Sequence, residues 1–396
     1  MDPNIIDIIK QRASQYLPEI TNIRRHLHKY PELSFAEKKT ADYIAGILTQ
    51  ANIPFTTGWG GFGIVATING SPNGEVIALR ADMDGLPILE TNDVSYKSNN
   101  DGVMHACGHD VHMSCLIGAA LILNDLKESL PKNYRIIFQP GEEKLPGGAS
   151  LLIAEGVLKN PIPKSIIGQH VFPSLSAGKV GIKSGLYMAS SDELYLEVKG
   201  RGGHAAMPNE IIDTILVASQ ILIALQQVVS RKCNPAIPSV LSFGKINSVG
   251  GATNIIPEKV LIEGTFRTMD EKWRSEAHSL IANISQQTAI AYGAECNVNI
   301  MHGYPCLVNE SEVTKQVHKN MITYLGQENV IDLPIRMTSE DFAFYSQVIP
   351  ACFYRLGTGN REKGITSPVH TSTFDIDETA LETGMGLMAW LAIGIE

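Results

Sequence analysis

The stretch Arg135-Ile136-Ile137-Phe138-Gln139-Pro140-Gly141-Glu142-Glu143 runs an apolar segment through a Pro-Gly break into a pair of carboxylates. A short apolar run bounded by turn residues reads as a buried strand, with the glutamates at its carboxyl end. Active-site loops of open α/β sheets emerge at that end. Working outward, Met104-His105-Ala106-Cys107-Gly108-His109-Asp110-Val111-His112 is rich in small residues and supplies a thiol and imidazoles. His170 ends another apolar run, Ile166-Ile167-Gly168-Gln169-His170, and His370 precedes the acidic Asp375, Asp377 and Glu378. Thiolate, imidazole and carboxylate are the groups that hold divalent transition metals at neutral pH. Taken singly, each is more often packed or solvated than functional. Together, Cys107, His109, Glu142, Glu143, His170 and His370 supply ligands and a carboxylate to spare, which points to metal-assisted hydrolysis in one shared cavity.

A chain of 396 residues is long for a single core, so two domains are expected. A hydrophobic fraction of 44% and a charged fraction of 18% fit a well-packed globular protein. The formal net charge of -9 and the lack of a long Lys/Arg run argue against a nucleic-acid partner. The six cysteines, Cys107, Cys115, Cys233, Cys296, Cys306 and Cys352, are scattered without the spacing of a disulfide scaffold and are expected to be reduced. The start, Met1-Asp2-Pro3-Asn4-Ile5-Ile6-Asp7, lacks the basic-then-apolar order of a signal peptide. Thr214 to Ser230 is apolar, but Gln220, Gln226 and Gln227 interrupt it, so it reads as an amphipathic helix and not as a membrane span. A cytoplasmic location with no membrane partner follows as the default.

Helical periodicity opens the chain through Ile5, Ile8, Ile9 and Tyr16 and continues to His28. Strands are expected at Gly63 to Thr67 and Val76 to Arg80, separated as in a hairpin, then a helix from about Met113 to Leu126, and strands before Gln139 and ending at His170. This alternation indicates an α/β fold with a mixed sheet and helices on both faces. The pattern then changes. Leu194 to Lys199, Ser239 to Ile246, Val260 to Arg267 and Cys296 to Met301 read as strands, and Ile211 to Ser230 and Ser275 to Tyr292 as helices. That β-α-β-β-α-β order is ferredoxin-like, which places an inserted α+β domain at 184–301 and a first domain at 1–183 and 302–396.

With these residues in view, the chain resembles the M20 metallopeptidase superfamily, and within it the amidohydrolases of N-acyl amino acids, such as hippurate and auxin-conjugate hydrolases. The likeness spans nearly the whole chain through ten ordered segments: RRHLHKYPELSF, LRADMDGLP, MHACGHDVH, FQPGEE, GQHVFP, GRGGHAAMP, TNIIP, GTFRT, TSEDFAFY and VHTSTFDIDE. It implies a metal-dependent catalytic domain and an inserted lid that serves as a homodimer interface. It implies two divalent metal ions per subunit, Mn2+ or Zn2+, with Co2+ or Ni2+ as alternatives. Their ligands would be Cys107, His109, Glu143, His170 and His370, with Cys107 bridging. Glu142 would be the general base, taking a proton from the attacking water and passing it to the leaving amine.

The resemblance further makes His204 a donor to the developing oxyanion in a partner subunit's site. It makes Asn254 and Arg267 the clamp on the substrate carboxylate, a role that suits arginine's bidentate bonding. Asp82 and Asp84 would support the ligands from behind, as carboxylates commonly do for metal-bound histidines, with Asp84 the stronger candidate. Gly357 would line the pocket with backbone groups. His105, Asp110 and His112 flank the ligands, with plain hydrogen-bonded packing as good an account of each, and His26 and His28 read as structural. An exposed loop position is the bland alternative for His204. Val111 and Gly141 stand where many relatives have Gly and Ala, and many have a Pro near Thr214, which bears on pocket shape and not on the ligands.

Other readings carry less. Gly58-Trp59-Gly60-Gly61-Phe62-Gly63 matches a dinucleotide fingerprint in letters only, because the segment after it reads as another strand and not as a helix. A phosphate-binding Gly-x-x-x-x-Gly-Lys and a Gly-x-Ser-x-Gly elbow are both missing from the sequence. Cys107 as a nucleophile would leave the glutamate pair and the distant histidines unexplained. Three hypotheses remain: an N-acyl amino acid amidohydrolase, a peptidase or N-acetyl-diaminopimelate-type deacetylase on the same fold, and a non-catalytic small-molecule binder. Glu142 argues against the last.

Overall fold

The computed structural model describes residues 4–395; the first three residues of the amino-terminal stretch judged free of a signal pattern lie outside them. The chain separates into two compact units, one of Met1–Tyr187, Val308–Ile335 and Asp341–Glu396, the other of Met188–Leu307 and Arg336–Glu340.

The first unit is built on an eight-stranded sheet in the order Phe55–Trp59, Gly63–Asn69, Asn133–Gln139, Val76–Asp82, Ser165–Ser176, Ala351–Gly359, Val180–Ile182 and Val330–Asp332. Pairing is parallel from Asn133–Gln139 across to Ala351–Gly359 and antiparallel at Phe55–Trp59 with Gly63–Asn69, so the sheet is mixed. Val76–Asp82 is buried at every position and reads as an unbroken apolar run before Arg80, as central parallel strands do. Helices Ile5–Lys29, His109–Leu126 and Ala380–Gly394 pack on one another, and the residues from His109 to Leu123 are all buried.

Three local expectations are corrected. Gly63–Asn69 and Val76–Asp82 do not form a hairpin, because Asn133–Gln139 lies between them, antiparallel to the first and parallel to the second. The Asn133 side chain accepts from Gly70 N at 3.0 Å and donates to Gly74 O at 2.9 Å, tying the connection to the start of its own strand. The strand bearing His170 does not end there but runs to Ser176. Its ladder with Val76–Asp82 stops at Gly168, while the ladder with Ala351–Gly359 continues past His170, so the histidine sits where one neighbour has ended. The helix expected from Met113 begins at His109, one turn earlier.

In the second unit an antiparallel sheet runs in the order Ser239–Val249, Lys259–Thr268, Asp192–Lys199 and Glu295–His302. Strict alternation turns Leu194, Leu196 and Val198 inward, where they share a core with Val217, Ile221 and Leu225 of helix Thr214–Gln227 and Trp273, Ala277 and Ile281 of helix Glu271–Ala291. Thr214–Lys232 is the one stretch among the described residues long and apolar enough to cross a membrane, by length and composition. Its buried stripe of Val217, Ala218, Ile221, Leu225 and Val228 is spent on this core. The segment 336–340, assigned from sequence to the first domain, joins the second unit: Ala189 N donates to Arg336 O and Arg267 Nη1 to Met337 O.

Candidate metal centre

Backbone geometry gathers the donors. Gly108 takes the left-handed conformation, φ +80°, which starts the helix at His109 and separates that residue from Cys107 by a sharp turn. A Cβ there would lie 2.6 Å from Val171 Cγ2, so packing on the strand Ser165–Ser176 also demands glycine. Cys107 Sγ stands 3.4 Å from His170 Nε2 and 3.3 Å from His370 Nε2. The His370 backbone donates to Ala106 O at 2.7 Å and is held at φ +64°, a region histidine seldom enters. Strain of this kind, about 1–3 kcal/mol, persists only where the surroundings over-determine it, and it collects at functional sites.

The carboxylate pair emerges on a second constrained turn. Gly141 also has φ +64°; its N–H donates to Glu37 Oε1 at 2.7 Å, and the Glu143 N–H donates to Asp84 Oδ2 at 2.9 Å. The two glutamates have different nearest partners. Glu143 Oε1 lies 3.1 Å from His370 Nε2 and 4.0 Å from His109 Nε2, whereas Glu142 Oε1 accepts from the Asp341 N–H at 3.4 Å.

Two sets of three donors share Cys107, one with His109 and His170, the other with Glu143 and His370, and the donor atoms of each lie within 4.8 Å of one another. A third set joins His109, Glu142 and Glu143. The donors fit a cation. His109 Nε2 is buried and makes no hydrogen bond, an arrangement that is costly unless something else satisfies it. Asp84 Oδ1 meets His109 Nδ1 at 3.1 Å, which orients the ring and leaves Nε2 for a ligand. A fourth set, Asp82 with His109 and His112, is weaker, because both His112 nitrogens are engaged. Nδ1 meets Asp82 Oδ1 at 2.6 Å, and Nε2 accepts from Val171 N at 2.8 Å. Asp82 also takes Arg80 Nη1 at 2.7 Å.

Burial and the neighbouring Glu143 and Glu142 push the Cys107 thiol far above its usual range. Burial would depress His109, but Asp82, Asp84 and Glu143 outweigh it and raise the imidazole to about 10. Burial, Arg355 and His112 hold His170 well down, so that ring is a neutral donor. Without a cation the protein therefore keeps protons on Cys107 and His109, the two groups a divalent ion would strip.

The remaining positions behave differently. His105 is buried with neither ring nitrogen partnered, and burial lowers it to about 4. Asp110 binds Arg24 Nε and His28 Nδ1, each at 2.8 Å, while His26 stacks on Tyr43 with ring centroids 3.9 Å apart. Gly357 lies inside the sheet with its N–H on Lys179 O, and a Cβ would meet Ser176 O at 2.2 Å, so strand packing by itself demands glycine there. His204, Asn254 and Arg267 belong to the second unit. His204 and Asn254 share a short ribbon, Gly203–His204 paired with Ile255–Ile256, in which Ala205 N donates to Asn254 O at 3.0 Å. Arg267 is half-buried, with Nη1 3.2 Å from Met337 O and 3.3 Å from Ser339 Oγ, and burial lowers its pKa. Sequence reasoning missed Glu37 and Ser34. Glu37 opens the run Glu37-Lys38-Lys39, which looks like a solvated helix start, and no spacing rule ties it to Gly141.

A mixed α/β sheet that sets thiolate, imidazole and carboxylate donors beside a further carboxylate defines a metal-dependent hydrolase. The chain belongs to the peptidase family M20/M25/M40, whose sequence pattern matches residues 78–393. It is similar to the N-acetyl-L-cysteine deacetylase of Bacillus subtilis strain 168, with 39% identity over 92% of this chain and 85% of the relative. Thermostable carboxypeptidase 2 of Saccharolobus solfataricus is 37% identical over 98% of each chain. Among solved structures, a Bacillus subtilis protein described as a dinuclear metal binding peptidase of the M20 family superposes with a TM-score of 0.81 at 32% identity, over 96% of this chain and 98% of that one.

Proposed function

We propose that this protein hydrolyses the amide bond of N-acyl or N-aroyl amino acids, releasing a carboxylic acid and a free amino acid. The observation that carries the reading is a carboxylate to spare: Glu143 groups with Cys107 and His370 and again with His109, while Glu142 joins it beside His109 but belongs to neither set that shares Cys107. Cys107, His109, Glu143, His170 and His370 would hold two divalent ions, which when bound acidify a water and polarise the scissile carbonyl. The mixed thiolate, imidazole and carboxylate set suits Mn2+ or Zn2+, with Co2+ or Ni2+ as further options. Glu142 takes the proton from the attacking water and delivers it to the departing amine nitrogen. Asp84 orients His109, and Asp82 keeps His112 in its buried place.

His204, Asn254 and Arg267 complete the reading. Arg267 and Asn254 bind the carboxylate of the amino acid product half, and His204 donates to the oxyanion, acting on the site of a partner in a homodimer formed through the inserted domain. A cytoplasmic location and a small-molecule substrate accompany this reading. The likeness to the deacetylase supports an N-acyl amino acid. The likeness to the carboxypeptidase supports a second reading, a peptidase or N-acetyl-diaminopimelate-type deacetylase at the same centre.

The test is hydrolysis of hippurate, N-acetylmethionine, indoleacetyl-alanine and a set of dipeptides by wild type and Glu142→Gln, with metal content measured on both. Turnover of acyl amino acids that falls by ~10²–10⁴-fold in the variant while metal stays bound is the expected result. Preference for dipeptides moves the assignment to the peptidase reading, and failure of both proteins to bind metal overturns the centre itself.

A further inference from the structure

We infer that Glu37 is a positioning residue that fixes the turn carrying Glu142 and Glu143. The inference rests on the roles proposed above for that pair. Glu37 stands at the N-cap of helix Lys38–Gln50, where an acidic side chain would ordinarily bond the helix's own N–H groups, yet it makes no such bond. It is fully buried and spends Oε1 on the Gly141 N–H at 2.7 Å. Two residues further along the turn, the Glu143 N–H is taken by Asp84 Oδ2 at 2.9 Å. The backbone on both sides of Glu142 is thus pinned by a buried carboxylate.

The segment Ser34–Glu37 grips both anchors. Ser34 Oγ donates to Asp84 Oδ2 at 2.6 Å, so one end of the segment holds the carboxylate under Glu143 while the other holds Gly141 directly. Between them Phe35 has φ +64°, an outlier for a bulky residue. Its ring lies against Gly141 so closely that a Cβ there would be 2.4 Å from Phe35 Cε1. Such a backbone persists when contacts on either side hold it, and the two bonds at Ser34 and Glu37 are those contacts. Loss of the Glu37 bond frees the Gly141 peptide to rotate and carries Glu143 away from its 3.1 Å approach to His370. The donor set of Cys107, Glu143 and His370 suffers first, and that of Cys107, His109 and His170, which has no member on the turn, is spared.

Full-length wild type, Glu37→Ala and Glu37→Gln are titrated with Co2+, following the thiolate charge-transfer absorption, and kcat and KM are measured on whichever acyl amino acid the wild type turns over. Glu37→Ala is expected to bind the second Co2+ equivalent ~10–100-fold more weakly, with the first unchanged and kcat falling more than KM. Glu37→Gln keeps an oxygen for the Gly141 N–H and is expected to restore both readouts. If Glu37→Ala does not fold, Glu37→Asp, one methylene short of Gly141, replaces it. Two equivalents bound at wild-type affinity by the Ala or Asp variant would overturn the inference, as would a Gln variant as impaired as Ala. The Co2+ isotherm involves no substrate, so it decides the matter even if the wild type hydrolyses none of the acyl amino acids and the functional reading fails.

Discussion

Replacing Asp84 by asparagine tests whether the carboxylate behind His109 is what makes the centre bind metal. Asp84 is fully desolvated, and both of its oxygens are used: Oδ1 faces His109 Nδ1 at 3.1 Å, and Oδ2 accepts from Ser34 Oγ at 2.6 Å and Glu143 N at 2.9 Å. Burial alone would raise this carboxyl, but the His109 bond, then Ser34 and the Glu143 N–H, hold it below its usual range, so it is charged at neutral pH. An amide presents one oxygen and one NH2. Turned either way, it sets donor against donor, at His109 on one side or at Glu143 on the other. Loss of a hydrogen bond to a charged group costs about 1.5–3 kcal/mol, which corresponds to ~10–100-fold in affinity. Co2+ or Mn2+ titration in competition with a chelator should therefore show Asp84→Asn weakened by that factor for the first equivalent. Circular dichroism of the metal-free variant should match wild type. Wild-type affinity for both equivalents would refute the argument that Asp84 orients a ligand.

Three further outcomes follow from the geometry. Burial opposes protonation of His109 but its carboxylates win and raise it to about 10, while burial and Glu143 raise Cys107. Both shifts are upward, so in metal-free protein the stability they supply is complete at low pH; the His109 part is lost as pH climbs from about 6.5 through about 10, and the Cys107 part only from about 9 upward. The thermal midpoint of the apo form should fall over that window, and calorimetric metal binding near pH 8 in buffers of different ionisation enthalpy should release about two protons; an apo midpoint that rises contradicts the assignment. Gly108→Ala combines left-handed strain with a contact 2.6 Å from Val171 Cγ2 and should cost about 2–5 kcal/mol, read as a lowered thermal midpoint; an unchanged midpoint would mean that the helix start relaxes freely. His204→Ala should lower kcat by ~10²–10³ with metal content intact; mixed with Glu142→Ala in verified heterodimers, it should recover part of the activity, and no recovery would remove the shared-site proposal.

Much of the fold was legible because its signals are local. The second unit's strands and helices carry strong period-2 and helical patterns, such as Leu194, Leu196 and Val198 against Val217, Ile221 and Leu225. The donors were legible because Cys107, His109, His170 and the glutamate pair sit at breaks in apolar runs. What sequence could not supply were choices made by distant partners. A third strand splits two that are adjacent in sequence, and the Asn133 bonds to Gly70 and Gly74 that tie the connection to it join residues some sixty positions apart. Gly108 moves the helix start because Val171 occupies the space a Cβ would need. Glu37 looks like a solvated charge until Gly141 is brought beneath it.

The charge balance of the centre explains why those distant partners matter. Arg24 is committed to Asp110 and Asp375, and Arg80 to Asp82 and Asp341. Asp84, Glu142, Glu143 and the Cys107 sulfur then crowd around imidazoles, one of which, His170, is held neutral by burial, Arg355 and His112. Buried negative charge without compensation is expensive, and the metal-free protein meets that expense by keeping protons on Cys107 and His109. Divalent cations replace those protons at the same donors, so acid and metal compete for a single set of atoms. The backbone anchors at Ala106, Gly141 and Glu143 hold these atoms together against the mutual repulsion that grows as the protons leave. Loosening an anchor lets the donors move apart and lessens the crowding that raises Cys107 and His109, so the variant releases fewer protons on binding and its deficit should be larger at high pH than at low pH. Because burial and Asp84 raise Glu37 itself to about 7, the deficit is read as Glu37→Ala against Glu37→Gln, and one that stayed constant from pH 6 to 9 would show that the anchors act on geometry alone.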